Sequence, residues 1–420
     1  MASAELQGSS DSVQGPEEGH GSSQKKPENI KNRRRSKKRH SYLLKFGCFR
    51  SEDDDFPTVE RSDGGRKGLD MVADPAGERR APAHLVILVN GLVGSAQNWR
   101  YAAKQFLKKY SQDVIAHCSE CNPSRLTFGG VDVMGERLAQ EVISVIKRYP
   151  DVQKISFVGH SLGGLVARYA IARLYGRDLT MELSQGHENH NGERPGDPCL
   201  EDKYRGKIAG LEPMNFITFA TPHLGSRGHK QVPVFCGFNR MERAVSHISW
   251  FLGRTGRHLF LTDHDDGKQP LLLRMVNDCE NLPFMSALQS FRRRVAYANV
   301  HFDQLVGWST SSIRKQNELP KRQQFSSHDK YPHIVNVEEA TVASSKQEVS
   351  SEANIKKSKT IDMEEKMIRG LTKVSWERVD VDFKGSRQRF LAHSTIQVKS
   401  YCINSDGADV VLHMADNFLL

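Results

Sequence analysis

Apolar residues are spread unevenly along the 420-residue chain. Over residues 1–80 they are scarce among Ser, Gly, Glu, Asp, Lys and Arg. A stretch of that composition buries too little surface to offset its chain entropy, so a disordered tail is expected there. The pattern changes abruptly at His84. His84-Leu-Val-Ile-Leu-Val-Asn90 is an unbroken β-branched and leucine run, which predicts a strand buried on both faces. A glycine-containing turn, Gly91 to Ser95, follows it, and Trp99 to Tyr110 has helical spacing.

Asp113 to His117 predicts a second short strand. In Val133 to Tyr149 the apolar positions Val133, Leu138, Val142, Val145, Ile146 and Tyr149 recur near a period of 3.6, and Pro150-Asp151 ends that helix. Lys154 to Gly159 is the next strand and Leu162 to Tyr175 the next helix. Strand and helix therefore alternate, which predicts an α/β fold, a mostly parallel sheet with helices on both faces. A polar insert near 176–206 reads as an exposed loop. Met214 to Ala220 resumes the sheet, and 227–290 mixes Val234, Phe235, Trp250, Phe251 and Leu252 with Gly and Arg in helix-like blocks without clear strands. Val295 to Val300 and Ser375 to Phe383 predict late strands, separated by a second polar insert near 338–362, and Asp409 to Leu420 predicts a closing helix. One folded domain over 81–420, without internal repeats, accounts for all of this.

Composition alters the picture mainly at the N-terminal end. Lys and Arg outnumber Asp and Glu by 60 to 50, and much of the excess lies in Lys25 to Arg39. Such a run reads as a solvated tail or as a peripheral contact with an anionic membrane surface, to which Cys48 would add an acyl anchor. No aromatic-interleaved surface supports nucleic-acid binding. No stretch is long and apolar enough to span a bilayer, and the first residues lack a secretory signal pattern. Glu5, Asp11, Glu17 and Glu18 argue against a plastid transit peptide. Seven scattered cysteines suit reduced thiols in an intracellular, cytoplasmic protein. Cys118 and Cys121 form a lone C-x-x-C with no second pair to complete a metal site, so neither metal nor organic cofactor is expected.

The strongest chemical signal is Gly159-His160-Ser161-Leu162-Gly163, followed by Gly164. It fits G-x-S-x-G and stands directly after a buried strand and before a helix, the context in which a serine is lifted on a sharp turn as a nucleophile. Gly159 and Gly163 supply the small side chains that such a turn needs. Asn90-Gly91-Leu92 follows the first buried strand and suits an oxyanion loop, with the backbone amides of Leu92 and Leu162 as donors. The acid and base of such a serine follow it in the order Asp or Glu, then His. Asp303, just beyond the strand Val295 to Val300, is the candidate acid. His393, beyond the strand ending at Phe383, is the candidate base; His413, inside the closing helix, is its rival.

The GHSLGG motif, the block Thr221-Pro-His223-Leu-Gly-Ser226, the segment Asn299 to Thr310 and the block around Ala392-His393 together resemble the serine esterase family of lipase-like α/β hydrolases found in plants and yeast. The resemblance covers roughly 83–420 less the inserts and is greatest to the plant branch. It implies the α/β-hydrolase fold with a helical cap near 227–290, Ser161 as nucleophile, and esters of acyl chains as the substrate class. Relatives commonly carry His-Gly in the oxyanion loop where this chain has Asn90-Gly91, which changes the loop's support more than its donors. His223 reads as lining or support near the mouth of the site. An acyltransferase or thioesterase on the same triad, an amidase, and a non-catalytic binding protein remain alternatives; the oligomeric state is not legible.

Overall fold

The computed structural model describes residues 58–63, 66–73, 82–177, 205–226, 252–264, 267–279, 281–326, 328–340 and 359–420. Its centre is a sheet of nine strands. They are β1 (Thr58–Asp63), β2 (Arg66–Ala73), β3 (His84–Val89), β4 (Val114–Cys118), β5 (Lys154–His160), β6 (Glu212–Phe219), β9 (Arg293–Asn299), β10 (Ile334–Glu338) and β11 (Glu377–Val381). A separate two-stranded hairpin pairs β7 (Asp278–Cys279) with β8 (Leu282–Pro283). The order across the large sheet is β1-β2-β4-β3-β5-β6-β9-β11-β10. From β4 across to β11 the six central strands are parallel. The edge strands β1, β2 and β10 pair antiparallel. This is the α/β-hydrolase fold.

The unbroken apolar runs arise because both faces are covered. Along β3, Leu85, Ile87 and Val89 enter one core, while Val86 and Leu88 enter the other. The first core is roofed by α2 (Val131–Arg148) and α3 (Leu162–Leu174), the second by α1 (Arg100–Lys109) and the closing helix Ala408–Asp416. The chain leaves β3 for β4 on one side and then crosses to β5 on the other. That reversal makes a topological switch point at the carboxyl ends of β3 and β5, where open α/β sheets bind their ligands.

Two regions differ from the sequence expectation. The stretch expected to be disordered up to residue 80 contains the hairpin β1–β2, joined to β4 through Leu69, Asp70 and Met71. Average polarity conceals it: Met71 enters the core, and Asp70 is buried because it has a partner, His117. The edge strand β10 has no counterpart in the sequence expectation either; it alternates only weakly and is half-buried. Residues 1–57, and the cores of both polar inserts at 178–204 and 341–358, lie outside the described residues. So do 227–251 of the segment expected to form the cap. Its described remainder carries α4 (Gly253–Leu259), α5 (Leu271–Arg274), the hairpin β7–β8 and α6 (Phe284–Gln289), whose Phe284, Met285 and Leu288 join the core beneath α3.

Candidate active site

Ser161 sits between β5 and α3 with φ 53° and ψ −127°. Positive φ is strained for a residue with a Cβ, by about 1–3 kcal/mol, and persists only where the surroundings enforce it. The surroundings here are backbone. The Ser161 amide donates to Phe219 O at 2.8 Å. A Cβ on Gly163 would stand 2.3 Å from Val89 O, so α3 can start against the end of β3 only with glycine there. Gly159 and Gly164 abut in the same way, since a Cβ on Gly159 would lie 2.6 Å from Gly164 N. Gly91 touches the serine itself, at 2.9 Å from its own notional Cβ to Ser161 Cβ.

The oxyanion-loop candidate is held by side chains. Asn90 Nδ2 donates to Gly91 O and to Asn122 O, both at 3.2 Å, and Asn122 Nδ2 is itself fixed on Met134 O at 2.9 Å. The turn closes by Gly94 N to Gly91 O, and Val93 N reaches Thr127 Oγ1 at 3.0 Å. The amide of Leu92 takes part in none of these bonds. Leu162 is the first residue of α3, so its N–H has no intrahelical acceptor. The Leu162 amide thus directly follows the serine, and the Leu92 amide follows Gly91, which touches it.

Asp303, in the loop after β9, is buried and saturated with donors. Its Oδ1 accepts from the amides of Leu305 and Val306, each at 2.9 Å; its Oδ2 accepts from Asn299 Nδ2 at 2.8 Å and from His393 Nδ1 at 2.9 Å. Burial alone would raise its pKa, but the His393 imidazole and these hydrogen bonds outweigh it, and the carboxyl is held below its usual range. With Nδ1 of His393 donating to that carboxylate, the neutral form of the ring carries its lone pair at Nε2.

His160 joins this pair to the serine turn. Its ring lies 4.7 Å from that of His393, and its Nε2 donates to the His393 carbonyl at 2.6 Å. A carbonyl only accepts, so this nitrogen carries the proton. Burial, and then the repulsion that a protonated His393 would exert, push the His160 pKa well below its ordinary value, so the ring stays neutral. No hydrogen bond joins Ser161 Oγ to His393 Nε2; in substrate-free sites such bonds are often long and tighten when the substrate is bound.

The structure therefore gathers Ser161, His160, Asp303 and His393 with the loop of Asn90, Gly91 and Leu92. His413 goes elsewhere: it bonds Tyr297 Oη at 2.8 Å, and burial drives its pKa to about 4. His223 is fully buried, bonded to Thr218 Oγ1 at 3.1 Å and edge-on to Trp376, a supporting position. Cys118 is buried, Cys121 meets Ser119 Oγ and Asn122 Nδ2, and burial raises both thiols above their usual range. Two contributors escape a reading of the sequence, Asn122 behind the loop and Asn299 beside the carboxylate. Neither belongs to a motif; only spacing four residues before Asp303 hints at Asn299.

Over 237 residues the chain is 29% identical to "Putative lipase ROG1" of Saccharomyces cerevisiae, an alignment covering 55% of this chain and 28% of that protein. It is 26% identical over 281 residues to "Putative lipase C4A8.10" of Schizosaccharomyces pombe, covering 64% and 31% respectively. The chain thus spans under a third of the length of these relatives. Among solved structures, the mature lipase BlEst2 of Bacillus licheniformis is 14% identical with a TM-score of 0.30, over 54% of this chain and 69% of that one. Lipase B of Aspergillus fumigatus is 15% identical with a TM-score of 0.30, over 55% and 41%. The family model described as "Putative serine esterase (DUF676)" matches residues 79–313, more than half of the chain, and the chain belongs to that family.

Proposed function

We propose that the chain hydrolyses carboxylic esters, with acyl lipids as the substrate class, through Ser161, His393 and Asp303. The observation that carries the reading is the Asp303–His393 hydrogen bond, formed beside a serine held at positive φ between strand and helix. In this reading Ser161 Oγ attacks the ester carbonyl while His393 Nε2 takes its proton. Asp303 fixes the imidazole tautomer and stabilises the imidazolium. The amides of Leu92 and Leu162 receive the negative charge that develops on the carbonyl oxygen, a contribution of about 3–4 kcal/mol per donor in such sites. His393 then passes the proton to the leaving alcohol, and water resolves the acyl-enzyme by the same steps in reverse order. The chemistry draws on no cofactor.

A fluorophosphonate probe tests this directly. Wild type should be labelled and should release nitrophenol from short-chain nitrophenyl esters, and Ser161→Ala should do neither while keeping its thermal midpoint. Ester hydrolysis surviving in Ser161→Ala would refute the assignment.

A further inference from the structure

Beside the serine turn, the segment that carries His393 presents apolar side chains to solvent. Phe390 is 61% exposed, Leu391 46%, Tyr401 40% and Ile403 56%. They form one surface. Asn404 Nδ2 bonds Thr395 Oγ1, Thr395 Oγ1 bonds Leu391 O, and Gln388 Nε2 bonds Ser405 Oγ, all within 3.0–3.1 Å, so 388–395 and 400–405 lie side by side. Tyr401 is stacked at 5.0 Å on Tyr101, at the start of α1. Phe390 packs at 5.5 Å on Phe302, the neighbour of Asp303. On the oxyanion side of the mouth Val93 and Leu126 are exposed as well.

The charge within this segment has one sign. From Lys384 to Ser405 the chain carries Lys384, Arg387, Arg389 and Lys399, and no Asp or Glu. The acids that flank the segment are hydrogen-bonded inward, Asp382 with His301 and Asp406 with Ser386, and four cations outnumber these two. The Arg389 guanidinium lies over the Phe390 ring at 4.7 Å, so base and aromatic are presented together. Exposed apolar side chains on a segment whose own charges are all cationic suit one partner better than a protein surface: a bilayer whose headgroups are anionic and whose acyl region accepts the aromatic and aliphatic tips.

We propose that the face formed by Phe390, Leu391, Tyr401 and Ile403 with Arg387 and Arg389 docks on anionic phospholipid bilayers and sets the mouth of the site against the lipid. This deepens the lipid-ester reading and rests on it for its purpose, although the docking itself needs no chemistry. It is distinct from any contribution of the basic run at Lys25 to Arg39.

The test is sedimentation of the full chain with sucrose-loaded vesicles, of phosphatidylcholine alone or with a third phosphatidylserine. The Ser161→Ala protein serves as host, so that lipid turnover cannot intervene. Binding should require phosphatidylserine and weaken with added salt. Arg387→Glu combined with Ile403→Glu should lower the partition coefficient by about tenfold or more. Both residues are exposed, and an unchanged melting curve verifies that the variant is folded. The tryptophan introduced by Ile403→Trp should be quenched by brominated lipid beyond the quenching of the parent protein. Parent protein that ignores phosphatidylserine vesicles, a double variant that binds as well as the parent, or an Ile403→Trp variant quenched no more than the parent would each overturn the docking face. If Ser161 proves inert in wild type while vesicle binding follows this pattern, the catalytic reading falls and the docking face stands.

Discussion

Asp303→Asn separates catalysis from stability. The wild-type carboxylate accepts four hydrogen bonds, two at each oxygen. An asparagine can keep only one oxygen. Facing its amide to Leu305 and Val306 would strand two buried N–H groups, at about 1–3 kcal/mol each. The cheaper arrangement keeps oxygen on those amides and turns NH2 toward Asn299 and His393. Asn299 can accommodate this, because its Oδ1 is buried without a partner and a flip of its amide would offer that oxygen. His393 can accept at Nδ1 only by moving its proton to Nε2, which then faces the serine as a donor and is useless as a base. The expected outcome is a kcat loss of about 10⁴ with a stability loss near 1 kcal/mol at pH 7. Nitrophenyl butyrate kinetics and urea unfolding measure the two. The carboxyl is depressed in the fold, so its contribution is complete above about pH 4 and is lost as pH falls through the lower folded value. The stability gap between wild type and variant should therefore close in acid. A variant that keeps more than a tenth of wild-type kcat would refute the claim that residue 303 sets the imidazole tautomer.

Two further outcomes follow from other parts of the structure. Asn90→Ala removes the two side-chain bonds from Asn90 to the loop of Leu92, leaving the Gly94 and Val93 amide bonds to hold it, so kcat should fall about tenfold or more with KM little changed; a rise in KM alone would assign Asn90 to substrate binding. His117 lies buried between Asp70 at 2.5 Å and Glu141 at 3.3 Å, and although burial opposes protonation, those two partners raise its pKa to about 9. A raised pKa gives stability that is complete below the unfolded value of about 6.5 and is lost as pH rises through about 9. Wild type should accordingly lose urea resistance between those values, and His117→Ala, less stable at pH 6, should show a flatter profile; parallel profiles would mean that His117 is neutral in the fold.

The central sheet is legible because burial on both faces leaves nearly continuous apolar runs, as in His84 to Val89 and Lys154 to Gly159. The serine turn is legible for a different reason: Gly159 and Gly163 are forced by backbone contacts too close for any Cβ, and Gly164 by the Thr221 side chain, so the constraint is written in residue type. Edge strands carry neither signal. One side of β1 and β10 lacks a neighbour, and polar residues are tolerated there. Asp70 would ordinarily count against a strand, and its acceptability depends on His117, 47 positions later in the chain. The same holds for Asn122 and Asn299, whose roles depend on which carbonyl or carboxylate the fold sets beside them.

The base is the residue for which sequence and family say least. The family match ends at residue 313, before both candidate histidines, and order along the chain permits either. Protonation chemistry separates them. A general base must hold a lone pair toward the serine while its other nitrogen is pinned by an acceptor. His393 meets the second condition through Asp303, and its carbonyl is tied to the neutral ring of His160, the residue preceding Ser161. His413 has its Nδ1 on a tyrosine hydroxyl and lies 7% exposed against Tyr297 and Tyr331. Among the described residues no carboxylate bonds its ring to stabilise a charge that burial already disfavours. His393→Ala should therefore abolish fluorophosphonate labelling at an unchanged fold, whereas His413→Ala should lower the melting temperature and leave labelling of the folded protein intact. Reversal of that pattern would move the base to the closing helix and leave the Asp303–His393 bond without a catalytic purpose.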